Sequence, residues 1–155
     1  MAILAVNAGS SSLKFSLHAW AGGVDIGDTL LIGSVDGLEP QGQPRWRCRA
    51  PVPSSPLAKA APAWRDLGAG ALPAMADDRS NTTPFARALA QVQALITQHA
   101  RVAVRAVSHR VVHGGAQFRA AVRVDDAVMQ QLRTLQSLAP LHQPHNLAGI
   151  ELFRR

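Results

Sequence analysis

Leu13, Phe15 and Leu17 alternate with Lys14, Ser16 and His18, the period-two signature of a strand with one buried face. Just before it, Ile3 to Val6 is uninterruptedly apolar, which suits a strand covered on both faces. Strands are therefore expected over 2–7 and 13–18, joined by a tight Gly-Ser turn. A third is expected over Thr29 to Val35. A fourth, near an edge, falls over Arg45 to Arg49, where arginines alternate with Trp46 and Cys48. Residues 50–80 change character. Pro51, Pro53, Pro56, Pro62 and Pro73 lie among alanines and glycines and read as a long loop or insertion.

A helical period follows. Phe85, Leu89, Val92 and Ile96 recur on one face, and Thr83 and Pro84 are suited to the N-cap and the first helical position, so a helix runs from about Pro84 to His99. Val102 to Val112 is an apolar strand bearing Arg105, His109 and Arg110 that stops at Gly114-Gly115. Asp125 or Asp126 caps a second helix reaching Leu138, with Val128, Leu132 and Leu135 on one side. A proline-containing turn, Ala139 to Pro144, leads to a last helix from about His145. Spacing of this kind supports an α/β fold and shows no internal repeat.

Composition narrows the function classes. The 155 residues suffice for one domain with a core, built from Ala, Val and Leu because only 5% are aromatic. Sixteen Lys plus Arg against ten Asp plus Glu give +6, and all but Lys14 and Lys59 of these cations are arginines. The arginines are scattered along the chain and form no run; anionic small substrates, or a missing acidic remainder of the protein, explain the balance equally well, and no nucleic-acid partner is expected. One cysteine, Cys48, excludes an intramolecular disulfide and suits a reducing cytoplasm. No membrane-spanning run or secretion signal is visible, and no membrane association is expected.

Three groups of residues carry candidate chemistry. In Asn7-Ala8-Gly9-Ser10-Ser11-Ser12-Leu13-Lys14, Asn7 offers a carbonyl oxygen at a strand end, and Gly9 permits a sharp turn close to a ligand. Three serines supply hydroxyls and Lys14 a compact charge suited to phosphate. A phosphate and Mg²⁺ site needs such parts, although the Walker A spacing is missing and an ordinary tight hairpin would also use them. In His109-Arg110-Val111-Val112-His113-Gly114-Gly115, strand alternation sets Arg110 beside Val112. A planar guanidinium against an apolar wall suits a short carboxylate with a small alkyl tail; a surface arginine at a strand end is the plain alternative. The third group is Leu141-His142-Gln143-Pro144-His145-Asn146. Its histidines with His109 and His113 could be read as a metal cluster, but no cysteine group or His-Glu-x-x-His arrangement supports that.

Residues 3–14, Val107 to Gly115 and Ala139 to Pro144 together resemble, in order and spacing, the conserved blocks of the acetate kinase family. That family belongs to the superfamily of actin, hexokinase and the sugar kinases. Gln143, where asparagine is usual, departs from the pattern. The resemblance implies a ribonuclease H-like α/β domain, a mixed sheet with flanking helices. It implies reversible phosphoryl transfer from ATP to acetate, giving ADP and acetyl phosphate, with Mg²⁺. By similarity Asn7 helps hold the metal, and Ser10, Ser12 and Lys14 contact the ATP phosphates. Arg110 and His142 bind acetate or acetyl phosphate, and Val112 and Leu141 wall the methyl group. A propionate or other short-chain acyl kinase, and a non-catalytic binding domain, are the rival expectations.

The helix around Glu151 to Arg155 has no stop signal, and the resemblance places the family's catalytic aspartate downstream of Arg155. Residues 1–155 are thus expected to be an incomplete N-terminal domain, with 37–80 a variable Pro/Ala-rich region. The C-terminal nucleotide-binding domain is expected to be absent and the chain alone inactive. Family members are homodimers, and that expectation carries over only weakly, because their contact lies mostly in the C-terminal domain.

Overall fold

A computed structural model describes residues 1–53, 63–73 and 83–154. Six strands form one sheet: β1 (Ala2–Ala8), β2 (Ser12–Ala19), β3 (Thr29–Asp36), β4 (Arg45–Pro51), β5 (Trp64–Ala71) and β6 (Val104–His109). Their order is β5-β4-β3-β2-β1-β6; β1 and β6 run parallel and all other neighbours antiparallel. Helices α1 (Pro84–His99), α2 (Asp126–Thr134) and α3 (Gln143–Phe153) complete the α/β arrangement, with a 3₁₀ turn at Gln136–Leu138.

The alternation in the sequence decides which face of the sheet is core. Leu13, Phe15 and Leu17 are buried with Leu4, Val6, Leu31 and Val35. Against them α1 lays Phe85, Ala88, Leu89, Val92, Leu95 and Ile96, a helical stripe whose removal from water stabilises the packing of helix on sheet. Thr83 Oγ1 accepts from the Ala86 N–H at 3.2 Å, and Pro84 stands at the helix start, as the sequence predicts. Gly33 makes room for the Phe15 ring, which a Cβ there would meet at 2.5 Å. A second cluster of Met129, Leu132, Leu147 and Ile150 joins α2 to α3 and packs on Val111, Phe118 and Val124.

Four sequence expectations need correction. The stretch read as loop over 50–80 contains β5, which makes the sheet six-stranded and moves β4 in from the edge. Glycine is compatible with β5 because the indole of Trp46 lies over it: a Cβ at Gly68 would come within 3.0 Å of that ring, and one at Gly70 within 3.3 Å. The rest of the loop reading, over 54–62 and 74–82, lies outside the described residues. Strand β6 ends at His109, not Val112, because the last ladder bond is Arg110 N–H to Val6 C=O at 3.0 Å. Beyond it the backbone is satisfied by side chains. Finally, α2 closes at Thr134, where the chain tightens into the 3₁₀ turn, and α3 starts two residues early, at Gln143.

Candidate functional site

Strands β1 and β6 end side by side, Val6 opposite His109, so the segments leaving them share one corner of the sheet. Open α/β sheets place ligands at such carboxyl ends. After β1, the Gly9 N–H donates to Ser12 C=O at 2.7 Å and closes the hairpin; Gly9 does so without positive φ. The Leu38 N–H donates to Ser11 C=O at 2.9 Å and ties the loop to the end of β3. After β6, the chain bends through Arg110 to Gly115. Gly115 has φ +61°, and a Cβ at Gly114 would strike the Phe118 carbonyl, so both glycines are required.

Two amides of α3 hold these loops together. Asn146, 1% exposed, donates from Nδ2 to Ala8 C=O and accepts at Oδ1 from the Val112 N–H at 3.0 Å. Gln143, fully buried, accepts from the His113 N–H at 3.4 Å and donates to His113 C=O at 3.0 Å. His113 Nδ1 accepts from the Gly115 N–H at 3.0 Å. Three segments far apart in sequence are thereby locked into one corner.

Within it lies a cavity of about 220 Å³ lined by Asn7, Ala8, Gly9, Ser12, Lys14, Arg110, Val112 and His142. Two cations, a hydroxyl, an amide, an imidazole and one valine converge, and no carboxylate among the described residues lines the cavity. His142 occupies the N-cap position of α3, so the positive end of that helix adds to the field. Such a lining suits an anion with a small apolar part.

Six of the eight residues singled out by sequence therefore meet: Asn7, Ser12, Lys14, Arg110, Val112 and His142. Ser10 is exposed at the hairpin tip and does not line the cavity. Leu141, expected in the apolar wall, is 72% exposed in the turn before α3 and lies outside the lining. Arg110 and Val112 do share the cavity, but through the bend after β6 rather than through strand alternation. Asn146 was named in the third group but given no role, and Gln143 was noticed only as a departure; amides three residues apart in the first turn of a helix were the available signal.

Among the described residues no group of three or more His, Cys, Asp or Glu could hold a metal. Asn7 Oδ1 and the Ser12 hydroxyl are neutral oxygen donors of the kind Mg²⁺ takes beside phosphates and waters. They fit that ion only with phosphate oxygens to complete its shell. His109, behind Arg110, packs its ring on Phe153 with centroids 5.7 Å apart. Burial lowers its pKa to about 4, so it is a neutral wall at pH 7.

Comparison with known proteins decides the family. A model of the acetokinase family matches residues 64–155. The chain belongs to that family. It is 31% identical over 164 residues to the acetate kinase of Trichlorobacter lovleyi, covering 99% of this chain and 32% of that protein. It is 34% identical over 157 residues to the propionate kinase of Escherichia fergusonii, covering 99% of this chain and 32% of that one. The fold matches the crystal structure of a propionate kinase from Francisella tularensis with TM-score 0.63 at 23% identity, over 97% of this chain and 32% of that one. The chain thus spans about a third of the length of these acetokinase-family relatives. Its resemblance to the acetate kinases and its α/β class with flanking helices both stand. No helix among the described residues is long and apolar enough to cross a membrane.

Proposed function

We propose that this acetokinase-family chain supplies the phosphate- and carboxylate-binding corner of a kinase that transfers the terminal phosphoryl group of ATP to acetate, giving acetyl phosphate and ADP. One observation carries the reading: the Gly-Ser loop with Lys14, and the Arg110–Val112 bend with His142, line the same cavity. Phosphoryl transfer needs positioning and charge neutralisation more than covalent chemistry from the protein. Lys14 and the Ser12 hydroxyl are assigned to the ATP phosphates, and Ser10 to a phosphate lying over the hairpin tip. The Arg110 fork takes the carboxylate of acetate or the phosphoryl oxygens of acetyl phosphate. His142 adds a donor beside it, and Val112 bounds the methyl group. Leu141 is given no part in the cavity. Mg²⁺, held through Asn7 and the nucleotide, would supply further charge neutralisation.

Among the described residues the lining offers no carboxylate to orient the attacking oxygen, and the chain alone is expected to bind without turning over. Propionate is the second reading, favoured by the propionate kinases among the relatives and by the partial exposure of Val112. We place the protein in the cytoplasm on the strength of its free, buried Cys48 and leave homodimerisation to the longer protein.

Equilibrium binding of ATP and of acetyl phosphate to the 155-residue chain tests this. Lys14→Gln is expected to weaken ATP, and Arg110→Gln to weaken acetyl phosphate. If neither ligand binds, or neither variant changes the binding, the assignment fails. ATP- and acetate-dependent acetyl phosphate from the purified chain would refute its inactivity.

A further inference from the structure

The face of the sheet opposite α1 carries a second collection of cations. Asn7 stands opposite Lys14, Lys14 opposite Ser34, and Ser34 opposite Arg47, one row across four strands. In the next row Ile32 pairs with Arg49. Because Leu13, Phe15, Val35 and Cys48 point into the core, Lys14, Ser34, Arg47 and Arg49 point out of the other side. They enclose, with Ile32 and Gly33, a cavity of about 250 Å³. Lys14 lines both this cavity and the corner described above.

The guanidinium of Arg47 is held in place. Its Nε donates to Ser34 Oγ at 2.9 Å, Ser34 donates to Asp36 Oδ2 at 2.8 Å, and Ser34 is only 5% exposed. Asp36 lies 3.7 Å from Arg47 Nη2 and offsets part of one charge. Three cations thus share a small cavity that no acid among the described residues lines. A guanidinium fork pairs with two oxygens of either a carboxylate or a phosphoryl group, and the ammonium and second guanidinium beside it can meet the further oxygens and charge that a phosphoryl group carries.

We propose that Lys14, Arg47 and Arg49 form a second anion subsite, joined to the Gly-Ser loop through Lys14, that takes a phosphoryl-bearing anion. The inference rests on the reading of Lys14 as a phosphate contact. Two sources share this chemistry: the far end of a phosphate chain held at the loop, or a separate inorganic phosphate.

Calorimetric titration of the 155-residue chain with tripolyphosphate and with inorganic phosphate, at ionic strength fixed with sodium chloride, tests the subsite. Arg49→Gln is expected to weaken tripolyphosphate about five- to tenfold, the effect of one charged contact discounted for exposure. Arg49→Lys should fall between the two, since it keeps the charge and loses the fork, and it serves if the glutamine variant folds poorly. Sensitivity of inorganic phosphate to Arg49→Gln identifies a separate anion; sensitivity of tripolyphosphate alone identifies the end of a chain. Wild-type affinity of Arg49→Gln for both anions overturns the subsite, even if Lys14→Gln still weakens ATP. Conversely, an effect of Arg49→Gln with ATP indifferent to Lys14→Gln keeps the subsite and removes the nucleotide reading.

Discussion

Replacing Asn146 by alanine separates three parts of the corner at once. The side chain is buried and spends both ends of its amide on backbone, donating to Ala8 C=O and accepting from the Val112 N–H. Asn146→Ala strips both groups of these partners. An orphaned buried polar group costs roughly 1–3 kcal/mol, and water admitted to the space left by the amide recovers part of it, so about 2–4 kcal/mol is expected. For a chain of this size that corresponds to a fall in Tm of roughly 4–16 °C.

The assay is thermal and urea unfolding followed by circular dichroism, with ATP and acetyl phosphate binding measured well below the transition. Asn146→Asp is the sharper variant, being isosteric. Its carboxylate still accepts from Val112 but meets the Ala8 carbonyl oxygen with no proton to donate. Burial and that oxygen raise its folded pKa above the unfolded value. The variant is therefore relatively more stable below the unfolded pKa, and loses that stability as pH rises through the folded one. A Tm for Asn146→Ala within about 1 °C of wild type, or Asn146→Asp insensitive to pH, would refute the claim that this amide holds the corner; 1 °C is well under the shift expected for one orphaned group.

Gln143→Ala removes a pair of bonds to the His113 backbone and should weaken acetyl phosphate more than ATP, because it frees the Arg110–Gly115 bend and leaves the Gly-Ser loop alone; equal losses would count against that division. Val112→Ala should improve the affinity of propionyl phosphate relative to acetyl phosphate by about threefold, a little less than the roughly 0.8 kcal/mol of a fully buried methylene because Val112 is partly exposed, and an unchanged ratio in direct binding would show that Val112 does not bound the alkyl tail. His109, whose pKa burial lowers to about 4, binds a proton in the unfolded chain before the folded one. Its contribution is intact above pH 6.5 and lost as pH falls toward 4, of the order of 2 kcal/mol after allowance for partial exposure. His109→Phe should flatten that part of the stability–pH curve, and an unaltered slope would refute it.

What could be read from the sequence, and what could not, follows the range of the forces. Alternation at Leu13, Phe15 and Leu17, the Thr83-Pro84 helix start and the stripe from Phe85 to Ile96 are local patterns, and the structure repeats them nearly residue for residue. Strand β5 was hidden because its glycines look like loop until the indole of Trp46, on the neighbouring strand, gives them a reason. The end of β6 was misplaced for a similar cause. Apolar residues continue to Val112, but the N–H groups of Val112 and His113 are claimed by Asn146 and Gln143, some thirty residues later.

The same two amides bear on the chemistry. Arg110 and Val112 were expected side by side through strand alternation; they line the cavity together because α3 pulls the chain out of the sheet and fixes the bend beside Lys14. A cavity with two cations and, among the described residues, no carboxylate must resist their mutual repulsion before any anion arrives. Lys14 is carried on a strand with hydrogen-bonded neighbours on both sides, while Arg110 stands at the start of a bend whose backbone is tied down at Val112 and His113. Fixing that bend in advance removes ordering entropy that an anion would otherwise have to offset. Asn146 and Gln143 are therefore positioning residues for the whole corner, and their loss should be felt in ligand affinity at temperatures where the fold itself is still intact.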